Sequence, residues 1–194
     1  MCWKARRQYG EDYLRNPLYG KIITKKHFDR VSGLIEHSKV VHGGSFDAAS
    51  QKIEPTVMDQ VTWSDKVMSE EIFGPLMPIL IFDNIEGVIH TVNSHDKPLA
   101  LYIYAENKKV IRNVLSRCTF GGGCVNDCII HLATSGMGFG GVGESGMGAY
   151  HGKSGFDTFT HYKSIVDKKT WLDIPMRYQP YTKLSDWLIH IFLR

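Results

Sequence analysis

The sequence runs to 194 residues, 43% hydrophobic and 22% charged, with 23 Lys and Arg against 20 Asp and Glu for a net charge of +3. That balance belongs to an ordinary globular chain, long enough to bury one good core or two small ones, and it excludes a coiled coil, a collagen and a disordered tail. No basic run exceeds Lys25-Lys26 or Lys168-Lys169, so a nucleic-acid partner has no electrostatic support, and the longest uncharged apolar stretch, Leu76 to Phe82, falls far short of the ~20 residues of a membrane span.

The start, Met1 to Arg7, has no apolar segment behind its charges and does not read as a signal peptide. Cys2, Cys118, Cys124 and Cys128 lack the spacing of a disulfide framework, which points to an intracellular, reduced chain rather than an extracellular scaffold.

In chain order, Phe28, Val31, Leu34 and Ile35 recur at helical spacing behind a capping Thr24. Lys39 to His42 reads as a short strand ended by Gly43-Gly44, and Pro55 to Met58 as another extended segment. Leu76 to Phe82 is near-continuously apolar, the pattern of a strand buried on both faces. Ile85, Val88, Ile89 and Val92 return to helical spacing. Leu99 to Ala105 is a second buried strand, Val110, Ile111, Val114 and Leu115 mark the next helix, and Cys124 to Asn126 one more strand. Strand, helix, strand, helix, strand with short links predicts an α/β fold with a parallel sheet.

Composition then shifts. Twelve of the 19 glycines fall between Gly121 and Gly155, too dense for regular helix or sheet. The interleaved Phe139, Met147, Tyr150, His151 and Phe156 predict an ordered loop region. Phe159 to Val166 follows as an exposed strand, and Leu184, Trp187, Leu188, Ile191 and Phe192 fall on one face of a final amphipathic helix.

Gly141-Val142-Gly143-Glu144-Ser145-Gly146 matches a dinucleotide fingerprint formally. It has no strand before it and no helix after it, so the match is a decoy. The nine histidines show no metal-ligand spacing: His37/His42 and His90/His95 are five apart, off a shared helical face, and no metal is expected. Cys118, Cys124 and Cys128 read as small hydrophobes more readily than as nucleophiles. Ser69 to Pro75 places two acids, an aromatic and a Gly-Pro turn before a strand. A carboxylate there can accept two hydrogen bonds from a ribose diol, with an aromatic two residues on pointing the same way. On the residues alone, a loop with a capping acid and a hydrophobic plug is the stronger reading.

Glu70-Glu71-Ile72-Phe73-Gly74-Pro75, Pro98 to Tyr102, Asn126-Asp127 and Phe139 to Gly148, in that order and spacing, closely resemble the aldehyde dehydrogenase superfamily. Tyr150-His151-Gly152-Lys153 with Phe156-Asp157-Thr158-Phe159 resembles its class 3 branch, the fatty and aromatic aldehyde group. The resemblance covers residues 8 to about 180 and reverses the plain reading of the acidic loop. It implies a three-layer, parallel-sheet catalytic domain truncated at its N-terminal side, NAD or NADP as cofactor and an aldehyde as substrate. Glu71 would bind the nicotinamide-side ribose and Phe73 would pack near the nicotinamide ring. Asn126, Ile130 and His131 would lie near the substrate tunnel, with Phe139 and the glycine-rich stretch beside the cleft and His151 near the catalytic centre.

Residues 1–155 would then be the C-terminal part of the catalytic domain, 156–170 an oligomerisation strand implying a homodimer, and 171–194 a tail with an amphipathic helix. That tail touches membrane in some class 3 members, so a cytoplasmic chain with peripheral membrane contact is the expectation. The family oxidises an aldehyde through a cysteine nucleophile in a Gly-Gln-x-Cys motif and a base in a Glu-Leu-Gly-Gly motif. Neither occurs in these 194 residues, and Cys2 stands in the helix after the nucleophile's place. The expectation is a chain with no catalytic residue of its own, inactive alone, whose partner is a second copy or the missing N-terminal half. The alternative is a non-catalytic remnant that acts as a dimerisation module. Either way, buried strands such as Leu76 to Phe82 should present apolar surface and lower solubility.

Overall fold

A computed structural model describes residues 2–192, without the side chains of residues 2–5 and 176. Cys2 stands in a helix, as expected, while the end of the 171–194 tail, residues 193 and 194, lies outside the described residues. The chain divides into two compact units, residues 1–97 with 105–119, and residues 98–104 with 120–194.

The first unit opens with helix α1 (Cys2–Tyr9) and is organised around α2 (Lys25–Ser32). Thr24 caps α2, its hydroxyl oxygen accepting from the His27 N–H at 3.2 Å. Phe28 and Val31 lie one turn apart and bury completely, so the helix seats one stripe in the core. With Leu34, Ile53, Met58, Val61, Val67 and Leu76 they form the main hydrophobic cluster.

Strands β1 (Val40–His42), β4 (Thr56–Met58) and β5 (Leu76–Pro78) form a sheet with β4 at its centre, antiparallel to β1 and parallel to β5. All three β4 residues are buried, which suits its central place. Strands β2 (Phe46–Asp47) and β3 (Lys52–Ile53) form a separate hairpin. Its turn is held by the Asp47 carboxylate, which accepts from the Ala49 and Ser50 N–H groups and, most strongly, the Ser50 hydroxyl; those bonds hold the carboxyl below its ordinary range. Helices α3 (Ile85–Ser94) and α4 (Lys108–Arg117) are capped by Asn84 and Asn107 and joined through Glu86, which takes Arg117 at 2.6 Å and Asn113 at 3.0 Å.

The second unit holds β6 (Ala100–Ile103) and β7 (Gly122–Val125), paired parallel in register, then α5 (Gly152–Thr158) and α6 (Lys183–Phe192). Between β7 and α5 the glycine-rich stretch is ordered, as expected. Phe139 and Tyr150 exchange both backbone hydrogen bonds, at 2.8 and 3.0 Å, and close the loop. At Gly140 a Cβ would collide with the Gly148 carbonyl, and at Gly141 with the Ser145 carbonyl, so glycine is required by close backbone approach.

The fold is α/β, with two corrections of detail. The strands form three small sheets of mixed direction, since β1–β4 and β2–β3 are antiparallel. The apolar runs also yield less buried strand than their composition implied. Leu76 to Phe82 is a strand only to Pro78, with Ile81 75% and Phe82 61% exposed, and in β6 only Ile103 is buried. An apolar run counts residues, whereas burial needs a covering layer on each face.

Phe159 to Val166 is not a strand. Phe159 ends α5 and is 93% exposed, and Tyr162, Ile165 and Val166 are exposed after it. A strand exists only where a neighbouring backbone accepts its ladder, and this segment has none within the described residues. In α6, Leu184, Trp187, Ile191 and Phe192 are exposed while Leu188 is half-buried. No helix among the described residues is long and apolar enough to cross a membrane.

Candidate functional site

The acidic loop of the first unit is built on the face of α2 next to its buried stripe. His27 and Arg30 are three residues apart and so neighbours on the helix surface. Arg30 donates Nη1 to the Glu71 carbonyl at 3.1 Å and Nη2 to the Ile72 carbonyl at 2.6 Å, and pairs with the Glu70 carboxylate at 3.1 Å. Its Nε–H donates to His27 Nδ1 at 3.2 Å, which leaves the His27 hydrogen on Nε2, 3.0 Å from the Phe73 carbonyl. Four consecutive residues, 70 to 73, are thus held from one helix. Beyond them Gly74 lies flat on Val31, where a Cβ would stand 2.7 Å from a valine methyl. The Pro75 carbonyl then accepts from the Thr56 N–H at 2.8 Å, where the chain enters the sheet.

With three successive carbonyls tied to α2, the Glu71 carboxylate is exposed and has no hydrogen-bond or ion-pair partner among the described residues. Phe73 is 74% exposed at φ +48°. A left-handed phenylalanine costs about 1–2 kcal/mol, and hydrogen bonds to a charged donor, at about 1.5–3 kcal/mol each, are enough to hold it there. The Phe73 ring lines an open groove of about 400 Å³ with Ile22, Ile23, Thr24 and His27. An exposed carboxylate and an exposed ring, two residues apart on a fixed backbone, can bind a diol and a flat heterocycle.

The second unit joins three of the five expected residues, His131, Phe139 and His151, in a chain of rings. Tyr102 and His131 have centroids 5.7 Å apart, His131 and Phe139 5.8 Å, Phe139 and His151 6.3 Å, and His151 and Tyr150 4.3 Å. His131 rests against Gly122, where a Cβ would stand 3.0 Å from the imidazole. Its Nδ1 meets the Cys124 sulfur at 3.6 Å, and its Nε2 is buried without a hydrogen-bond partner. Asn126 follows β7 at φ +58°, its N–H bonded to the Ile103 carbonyl at 2.7 Å. Ile130 is exposed and opens a single helical turn that carries His131.

Residues in sparsely populated backbone regions cluster here. Asn126, Ile129 and His151 all have positive φ, and for the β-branched Ile129, at +68°, this is a true outlier. Such strain persists only where the surroundings over-determine it, and it concentrates at functional sites.

The thiols divide. Cys118 is buried, and burial pushes its thiol above the ordinary range against a smaller opposing effect of Arg117. Cys128 corrects the expectation of a buried hydrophobe: it is exposed and bonded to the Tyr104 hydroxyl, and that bond first, then burial, raises Tyr104. No group of three or more His, Cys, Asp or Glu among the described residues can hold a metal ion.

Sequence reasoning missed Arg30, His27, Tyr102 and Tyr104. His27 and Arg30 left one usable trace, polar residues at helical spacing beside the Phe28–Val31 stripe.

The aldehyde dehydrogenase family model matches residues 5–165. The dimeric NADP-preferring aldehyde dehydrogenase of Rattus norvegicus is 48% identical over 160 residues, which is 82% of this chain and 35% of the relative. Family 3 member B1 of Bos taurus is 43% identical over 178 residues, 91% of this chain and 38% of that one. The 4,4'-diaponeurosporen-aldehyde dehydrogenase of Staphylococcus aureus is 42% identical over 175 residues, 89% and 38%. A substrate-bound structure of Staphylococcus aureus AldH superposes with a TM-score of 0.90 at 40% identity, over 100% of this chain and 42% of that one. The chain therefore spans little more than a third of the length of the curated relatives it matches. With its family model, its class 3 relatives and its fold in agreement, this chain belongs to the aldehyde dehydrogenase family.

Proposed function

We propose that these 194 residues supply the nicotinamide-ribose contact and part of the substrate lining of an NAD(P)-dependent aldehyde dehydrogenase acting on fatty or aromatic aldehydes. The observation that carries this reading is the loop at Glu71 and Phe73, whose backbone is spent on α2 while both side chains are presented outward. The fit to a nicotinamide nucleotide is chemical. The Glu71 carboxylate has acceptor capacity to spare for two hydroxyls, and the Phe73 ring offers an apolar face to a flat heterocycle. NAD or NADP, when bound, accepts the hydride. The chain's own residues bind and orient: Glu71 takes the ribose, Phe73 the ring, and Asn126, Ile130, His131, Phe139 and His151 line the aldehyde's approach.

The nucleophile and base come from sequence outside these residues, because neither the Gly-Gln-x-Cys nor the Glu-Leu-Gly-Gly motif occurs within them. Removing the nucleophile from such a concerted site removes nearly all its chemistry. Purified chain given hexanal or benzaldehyde with NAD+ or NADP+ is expected to form no reduced nicotinamide, and measurable formation would overturn the assignment. In ligand-observed NMR, saturating the protein should transfer to the ribose protons of NADH, and Glu71→Gln should abolish the transfer. No transfer in the unsubstituted chain refutes the cofactor role.

A dimerisation module is the second reading, favoured by the exposed apolar side chains from Phe159 to Val166. In the dimer this segment is the strand that pairs with a second copy. Light scattering on the same preparation decides it, since a monomer at all concentrations would defeat the reading. The exposed Leu184, Trp187, Ile191 and Phe192 of α6 suit a peripheral membrane contact of a cytoplasmic protein, and co-sedimentation with anionic vesicles tests it.

A further inference from the structure

We propose that Arg30 is the positioning residue of the acidic loop, the group whose planar fork fixes the backbone of residues 71 to 73 and thereby aims Glu71 and Phe73. The inference rests on the cofactor reading for its purpose, but its geometry stands independently.

All three guanidinium nitrogens are engaged, and Nη2 also lies 3.3 Å from His27 Nε2. Nε–H meets His27, Nη1 meets the Glu71 carbonyl and the Glu70 carboxylate, and Nη2 meets the Ile72 carbonyl. Donors on two nitrogens of one plane match two successive carbonyls at a fixed spacing, whereas an ammonium offers its three donors from a single, freely rotating nitrogen. The same side chain orients His27, whose Nε2–H holds the next carbonyl, that of Phe73. Arg30 therefore controls three peptide units in a row, one directly through each of two donors and one through the imidazole it bonds. The peptide it reaches last precedes Gly74, pressed on Val31, so the loop cannot relax by sliding along α2.

The base of the clamp is rigid. Val31 and Phe28 are buried on the neighbouring stripe of α2, and Thr24 caps the helix. Phe73 is exposed and makes no core contact that would set its left-handed backbone, which leaves the tied carbonyls to do so. The Arg30 guanidinium is engaged by the Glu71 and Ile72 carbonyls, the Glu70 carboxylate and His27. It acts through the backbone, which makes it a positioning residue rather than a catalytic one.

The test uses the whole chain with fluorophenylalanine incorporated at its nine phenylalanines and the Phe73 fluorine signal assigned through Phe73→Leu. Arg30→Lys keeps the charge and loses the fork. It is expected to shift or broaden the Phe73 signal while the other signals and the cooperative melt stay close to those of the unsubstituted chain. NADH binding should weaken by about tenfold or more in the same variant. Arg30→Gln should reproduce both effects, and His27→Ala should move the Phe73 signal alone and by less.

An unmoved Phe73 signal in Arg30→Lys overturns the proposal. So does loss of the cooperative melt in both Arg30 variants, which would make Arg30 a general structural support. If the unsubstituted chain binds no NADH while the Phe73 signal still moves in Arg30→Lys, the positioning role holds and the cofactor reading fails.

Discussion

The Glu70–Gly74 loop and the ring cluster around His131 solve one problem in opposite ways. Each must hold non-glycine residues at positive φ: Phe73 in the loop, Asn126, Ile129 and His151 in the second unit. The loop uses directed polar contacts, with one guanidinium and one imidazole tying four residues to a helix. The cluster uses shape. Its rings lean on one another, and the missing side chains let backbone meet ring at Gly122 and backbone meet backbone at Gly140 and Gly141. Directed contacts fix a backbone while leaving its side chains outward. Close packing fixes the side chains themselves, at the cost of tolerance to any added atom.

The largest expected effect lies in the packed region. Gly140→Val puts a branched side chain where even a Cβ meets the Gly148 carbonyl, and should destabilise the second unit by about 3 kcal/mol or more. Urea denaturation followed by near-UV circular dichroism measures it. An unchanged midpoint would mean that the two backbone segments are not in contact.

An acid titration separates the regions next. Asp65, just ahead of the loop, holds Lys39 at 2.6 Å and the Thr62 N–H at 2.7 Å, and the Lys39 bond first, then Thr62, keeps its carboxyl below the ordinary range. A carboxyl depressed in the folded state stabilises fully above its unfolded pKa of about 4, and that contribution is lost as pH falls through the lower folded value. Stability should therefore drop below about pH 4, and Asp65→Asn should flatten that part of the profile. Equal slopes in both proteins would remove Asp65 from the account.

The smallest effect tests strain directly. Phe73→Gly keeps the carbonyl acceptors and relieves the left-handed backbone, which offsets the looser unfolded chain, so stability should stay level or rise by up to about 1 kcal/mol. A clear loss of stability in thermal melts would show that the exposed ring contributes packing after all.

How much of this could be read beforehand differs between elements for physical reasons. Helix α2 was legible because Phe28, Val31 and Leu34 report burial by their period, whereas Glu71 and Phe73 were singled out by motif order alone, and their cofactor role is the proposal that NADH binding tests. Arg30 was not legible, since a polar residue beside a buried stripe looks like any solvated helix face until its partner 40 residues away is in place. Leu76 to Phe82 misled because hydrophobicity predicts a preference for cover and says nothing of whether cover is supplied. Phe159 to Val166 lacks strand form within one chain for a related reason: extended backbone becomes a strand only against a neighbour.

The glycines at 140 and 141 carry one more consequence, for how this sequence can drift. Every missense change from a single-nucleotide substitution in a glycine codon introduces a β-carbon, and at these two sites that carbon meets a backbone oxygen. Such positions are expected to tolerate change less than exposed residues such as Met147 beside them. Among functional copies of this gene, variation should thin out at 140 and 141 even where the surrounding loop has diverged.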